Sequence, residues 1–129
     1  MTVSRRKGDA GLSDVLHSRI IRRHQQCERC HDTTGPFDCA HIVRRRYSAT
    51  RCDEDNSWCL CRSCHVKVDG DPAEFIDLVD ATIGRDKYQE LRTKANGGHG
   101  TTSTLFWRGE RERLTARCVE LGLSAKWRI

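Results

Sequence analysis

Apolar positions along this chain fall in short, separated runs, and each run carries the period of one kind of element. Val15, Leu16 and Ile20, interleaved with Arg19 and Arg23, recur at helical spacing after Ser13, a residue suited to capping a helix start. This spacing predicts a short helix leading into Cys27. Phe37 to Val43 reads as a brief strand and Ser57 to Leu60 as a second, with a polar, loop-like stretch from Tyr47 to Asn56 between them. A helix is expected to run directly out of the second strand, over Cys61 to Val68. Asp71-Pro72-Ala73-Glu74 has three marks of another helix start: Asp caps, proline suits the first helical position, and a Glu at the third reaches back. Phe75, Ile76, Leu78, Val79 and Ile83 then supply a buried face, with Gly84 as terminator. A further helix is expected over Arg85 to Ala95, and a break at Asn96-Gly97-Gly98-His99-Gly100. Beyond the break, Leu105 to Leu121 has the pattern of an amphipathic helix, with Trp107, Leu114, Cys118 and Leu121 on one stripe.

Composition adds a constraint. Only 36% of the 129 residues are apolar while 32% are charged, so the hydrophobic core is small for the length and needs another source of stability. The eight cysteines are the obvious source. Met1 to Ala10 is polar and basic with nothing resembling a secretory signal, so the expected setting is the reducing cytoplasm, where paired cysteines serve as zinc ligands rather than disulfides. The contrasting possibility is an extracellular disulfide scaffold, which predicts oxidised cysteines and no zinc. No segment approaches the apolar length of a membrane span, so no membrane partner is expected. The organisation expected is a flexible basic arm over 1–12, a zinc-bearing domain over 13–95, and a linker with an amphipathic helix over 96–129.

Charge and chemistry gather in one part of the chain. The formal net charge is +5, and Arg5-Arg6-Lys7, Arg19, Arg22-Arg23 and Arg44-Arg45-Arg46 all lie before or beside the cysteine cluster, which points to a polyanionic partner. Cys27 and Cys30, then Cys61 and Cys64, have the spacing of a four-thiolate zinc site in which two tight turns each clamp the ion from one side. Such a closed site contributes on the order of 10 kcal/mol to folding, enough to offset a thin core. His31, directly after Cys30, is an alternative ligand. Cys39, Cys52, Cys59 and Cys118 have no partner that completes a second knuckle and read as buried or incidental, and His17, His24 and His99 as ordinary histidines.

Three further residues lie between and after the cysteine pairs: His41 on the first strand, Asn56 in the loop and His65 on the helix. Hydrolysis of a phosphodiester needs a base for water, a cation for the charge on the phosphorane, and a group that orients the base. These residues supply such a set, with His41 as general base, Asn56 holding its imidazole through a hydrogen bond, and His65 binding a catalytic divalent ion. Strand alternation puts Asp38 on the same face as Ala40, within reach of that ion if a bulge helps. The Asn56 oxygen is a second candidate ligand. Arg44, Arg45, Arg46 and Arg51 follow the base closely enough to hold phosphates without reading sequence. Trp107 and Trp127 are candidates for base stacking, although the apolar stripe favours a core role for Trp107.

Cys27-Glu28-Arg29-Cys30, Ala40-His41-Ile42, Asp55-Asn56 and Leu60-Cys61-Arg62-Ser63-Cys64-His65 together resemble the HNH endonucleases over roughly Cys27 to Val68. The run from Ala40 to Arg51, followed by Asp55-Asn56, is similar to the small HNH proteins carried by phages and prophages. The resemblance implies an α+β fold with a zinc-stabilised ββα-metal core and flanking helices. It also implies metal-dependent DNA cleavage leaving 5′-phosphate and 3′-hydroxyl ends, with Mg²⁺, Mn²⁺, Ni²⁺ or Zn²⁺ as the catalytic ion beside a structural Zn²⁺. One departure stands out: many members place a metal-binding His or Asp immediately before the base, and this chain has Ala40 there. The contrasting reading is a non-catalytic zinc-ribbon module that binds DNA or a protein, with His41 and His65 as structural groups.

Overall fold

The first helix, α1 (Asp9–Arg22), starts ahead of Ser13: Gly8, at φ 87°, turns the chain into it, and Asp9 in the first turn suits the helix dipole. Ser13 is instead buried inside the helix, on the face that also carries Leu16, His17, Ile20 and Ile21. These coordinates are a computed structural model describing residues 8–97 and 103–126, so Arg5, Arg6 and Lys7 of the expected arm, His99 and Trp127 lie outside the described residues.

Strands β1 (Phe37–His41) and β2 (Ser57–Cys61) pair antiparallel, with Phe37 opposite Cys61 and His41 opposite Ser57. The pairing extends one step further, where Ile42 N donates to Asn56 O at 2.8 Å. The polar connection between the strands is partly helical. It contains α2 (Ser48–Arg51) and a 3-10 turn at Glu54–Asn56, which is capped by Asp53 accepting from Asp55 N. Helix α3 (Arg62–Gly70) leaves β2 without an intervening loop.

Helix α4 (Pro72–Ala81) starts as its sequence predicts, with the Asp71 carboxylate accepting from Ala73 N at 2.9 Å and Pro72 in the first turn. Glu74 does not reach back to close a capping box; it accepts from Arg29 Nη2 at 2.7 Å. Gly84, at φ 83°, turns the chain from α4 into α5 (Gly84–Asn96). Helix α6 (Thr104–Glu120) is capped by Ser103, whose hydroxyl accepts from Phe106 N.

Three apolar clusters hold these elements. Ala40, Ile42, Trp58 and Leu60 present one face of the sheet to Cys64 and Val68 of α3 and to Leu78 and Val79 of α4, with Cys27 at the margin. Burying Trp58 removes its ring from water while Nε1 donates to Thr82 Oγ1 at 2.9 Å, so no polar atom is left bare. Leu16 and Ile20 of α1 pack against Trp107, Leu114 and Cys118 of α6, with Cys52 between. Val43 meets Leu91 and Ala95 of α5. The α6 stripe is thus covered by α1, and Trp107 is a core residue. The architecture is α+β: among the described residues, six α-helices surround one two-stranded antiparallel sheet. No helix among the described residues is long and apolar enough to cross a membrane.

Candidate functional site

All eight cysteines are free thiols, and four of them converge. The sulfurs of Cys27, Cys30, Cys61 and Cys64 lie within 4.8 Å of one another. Cys30 Sγ and Cys61 Sγ are 3.8 Å apart, close to the roughly 3.8 Å edge of a tetrahedron with Zn–S bonds of about 2.3 Å. The donor set therefore fits a structural zinc ion. The first pair sits in a turn between α1 and β1, where Cys27 O accepts from His31 N and Cys27 Sγ accepts from Cys30 N at 3.5 Å. His31 takes φ 67° to make that turn and is exposed, outside the sulfur cluster. The second pair spans the end of β2 and the first turn of α3. Glu28 locks the two halves together, since its carboxylate accepts from Cys59 N at 2.7 Å and its own N donates to Cys59 O at 2.9 Å. Burial pushes the Cys64 thiol up to about 12, and Arg29 Nη1, which donates to Cys64 Sγ at 3.3 Å, works against that shift.

On the other side of the sheet an open cleft, with a volume of about 1370 Å³, runs between α1, β1, α3 and the segment after β1. His41 and His65 both line it, as does Asp38. Cys39 and His41 share this face of β1 by the alternation of the strand, leaving Ala40 to the core. His41 Nε2 lies 2.9 Å from the carbonyl of Arg51. A carbonyl only accepts, so Nε2 carries the hydrogen and the neutral ring keeps its lone pair on Nδ1. Burial lowers the His41 pKa, against the pull of the Arg51 carbonyl and Asp14, which holds the ring neutral at physiological pH.

Asn56 does a different task from the one its position suggests. It is fully buried; Oδ1 accepts from Val43 N at 2.8 Å, and Nδ2 donates to Val43 O at 3.0 Å and Thr50 O at 3.1 Å. The imidazole is held by the Arg51 carbonyl, and Asn56 fixes the backbone on either side of the connection that carries that carbonyl. Its oxygen is committed to Val43 N. Asp38 and His65 are brought together, with His65 Nδ1 donating to Asp38 Oδ2 at 2.9 Å and His65 Nε2 3.4 Å from Asp69. Arg62 grips the same carboxylate at 2.8 and 3.0 Å and holds its pKa below the usual range, with His65 adding to the effect against burial.

The cleft is rich in arginine: Arg22, Arg44, Arg45, Arg51 and Arg62 against Asp14, Asp38 and Asp69. Arg44 and Arg45 are exposed. Arg51 is tied to Asp14 through two hydrogen bonds and stacks over Trp107 at 5.1 Å, so its guanidinium braces α2 against α1 and α6. Arg46 turns to Tyr47 and does not line the cleft.

Two cleft residues escape a reading of the linear motif. Asp14 joins Arg45 at 2.7 Å as well as Arg51. His17 is 2% exposed, stacks near His41 with ring centroids 5.5 Å apart, and has its pKa lowered to about 4, first by burial and then by His41. The spacing of Ser13, Leu16, His17 and Ile20 along α1 is the signal that places His17 on the buried stripe. Comparison with known proteins adds nothing to this geometry: no family model, no curated protein and no solved structure matches the chain.

Proposed function

We propose that the chain is a metal-dependent DNA endonuclease of the HNH type, with His41 as general base. The observation that carries this reading is the Arg51 carbonyl on His41 Nε2 at 2.9 Å, which leaves Nδ1 as the basic atom of a neutral ring in an arginine-lined cleft. The order β1, β2, α3, with one cysteine pair at the β2–α3 junction, supports a zinc-stabilised ββα-metal core. His41 Nδ1 takes the proton from the attacking water, and the Arg51 carbonyl stabilises the imidazolium as it forms. Asp38 and His65 would offer a carboxylate oxygen and an imidazole nitrogen to a catalytic divalent ion that replaces the hydrogen bond between them. Bound there, Mg²⁺, Mn²⁺, Ni²⁺ or Zn²⁺ supplies positive charge to the phosphorane and the leaving oxygen. Arg44 and Arg45 hold the flanking phosphates, a contact that positions DNA without reading its sequence. The similarity of the motif to small phage and prophage proteins points to the same setting for this chain, with 5′-phosphate and 3′-hydroxyl products.

A second reading has its own support: the Arg62 fork on Asp38 closes one side of the ion position with a salt bridge, as suits a non-catalytic zinc module that binds DNA or a protein. A plasmid assay separates the two. Wild-type protein with Mg²⁺, Mn²⁺ or Ni²⁺ should relax or linearise supercoiled DNA. His41→Ala should slow this by about 100-fold or more while zinc content and melting temperature hold. Wild-type protein that leaves plasmid intact with every ion would replace the nuclease reading by the binding module.

A further inference from the structure

We infer that His17, Cys39 and His41 form a second metal site, suited to a borderline or thiophilic divalent ion such as Zn²⁺. One ring nitrogen of each histidine and Cys39 Sγ lie within 4.8 Å of one another, and among the described residues this is the one cluster of such donors besides the four cysteines. The three come from two elements, and none of the three belongs to the sulfur knuckles. Helix α1 delivers His17 from its buried stripe, and β1 delivers Cys39 and His41 from one face.

A second observation concerns His17 itself. Its Nε2 lies 3.0 Å from Ser57 Oγ, but Nδ1 is buried and has no hydrogen-bond partner among the described residues. A bare polar atom in that position is unfavourable, and coordination offsets this cost. On His41 the Arg51 carbonyl takes Nε2, so Nδ1 is the nitrogen available to an ion. All three residues line the cleft, which gives an ion a path in. A thiolate with two imidazoles prefers Zn²⁺ or Co²⁺ to Mg²⁺, and three protein donors leave the fourth tetrahedral position for water. The Asp38 and His65 pair stands outside this cluster.

The site has a consequence that rests on the nuclease reading: an ion on His41 occupies the nitrogen that must take the proton, so Zn²⁺ at this site would inhibit cleavage. The binding test needs no such assumption. Full-length protein carrying one zinc per chain is titrated with Co²⁺, read by the visible bands of tetrahedral Co²⁺ and by the thiolate-to-metal charge-transfer band, with zinc release measured alongside. The expected result is one thiolate-ligated Co²⁺ per chain with the zinc retained. Cys39→Ser should abolish the charge-transfer band, and both Cys39→Ser and His17→Gln should weaken uptake by more than about 100-fold, beyond the roughly 10–100-fold that outer-shell partners cost. Circular dichroism confirms that each variant is folded; Cys39 is only partly buried, so its variant carries the test if His17→Gln unfolds. Absence of uptake by wild type, or unchanged uptake by folded Cys39→Ser, would overturn the site. Lack of any plasmid cleavage would count against the nuclease alone.

Discussion

Asn56 commits both ends of its amide to backbone groups, and the loop between the strands depends on it. Val43 N, Val43 O and Thr50 O all point at this one side chain in a site without water access. Thr50 immediately precedes Arg51, whose carbonyl fixes the His41 tautomer, so Asn56 acts on the histidine through the chain rather than by touch. Asn56→Ala leaves Val43 N and Val43 O bare at about 1–3 kcal/mol each, of which local relaxation recovers part, while Thr50 O keeps its bond from Asp53 N at 3.1 Å. A loss of about 3 kcal/mol in urea unfolding is the expected outcome. A loss under about 1 kcal/mol would mean that other contacts hold the loop. That His41, Asn56 and His65 belong to one region was legible from their spacing among the cysteines. Which atom bonds which was not, because a hydrogen-bond partner is chosen by the folded path of the loop, and the same motif permits either the imidazole or the backbone as the target of the amide.

Among elements, the sulfur cluster joins two parts that Glu28 also ties through Cys59 and Arg29 through Glu74. The first knuckle belongs to the turn between α1 and β1, the second to the β2–α3 junction, and Cys27 and Cys64 are themselves buried in the core beneath the sheet. The four sulfurs fit a zinc ion, and with zinc held there its removal would free the turn that leads into β1. Treatment with a strong chelator under reducing conditions should therefore abolish the cooperative thermal transition and the near-UV dichroism, and Cys61→Ser should do the same without chelator. A metal-free protein with an unchanged melting temperature would contradict this. Element positions were legible wherever a local rule acts alone. The α4 start at Asp71-Pro72 needs only a cap and a fixed φ, and both strands follow from short runs of strand-favouring residues between turns. The start of α1 was not legible, because Ser13 has the residue type of a cap but is enclosed by tertiary packing, and Gly8 takes over. Glu74 was diverted in the same way, by an arginine from a distant turn.

The molecule as a whole is closed by contacts between its two ends. Helix α6 lies along α1, and Glu54 in the central 3-10 turn binds Arg117 of α6 at 3.0 Å and Arg23 at the end of α1 at 3.2 Å. Arg117 holds the Glu54 carboxyl below its usual pKa of 4.5, against burial and with help from Arg23. A carboxylate whose folded pKa is depressed stabilises the native state fully above its unfolded pKa, and loses that contribution as pH falls from about 4.5 through the folded value. Glu54→Gln should therefore cost about 1 kcal/mol at pH 7, and the gap to wild type should shrink toward pH 3. Urea unfolding at both pH values checks this, and a gap that stays constant would remove the ion cluster from the account.

Short-range information in the chain was enough for the cysteine pairs, the strands, the helix over Pro72–Ala81 and the basic character of the region around His41, since each depends on residue type and spacing within a few positions. Long-range packing settled the rest: that α6 covers α1, that Arg51 braces Asp14 and Trp107 instead of facing solvent, and that a histidine from the first helix stands beside His41. The physical reason is that periodicity marks which face of an element is buried but carries no term for what buries it. The partners emerge only when the elements compete for the same apolar surface and the same buried hydrogen bonds.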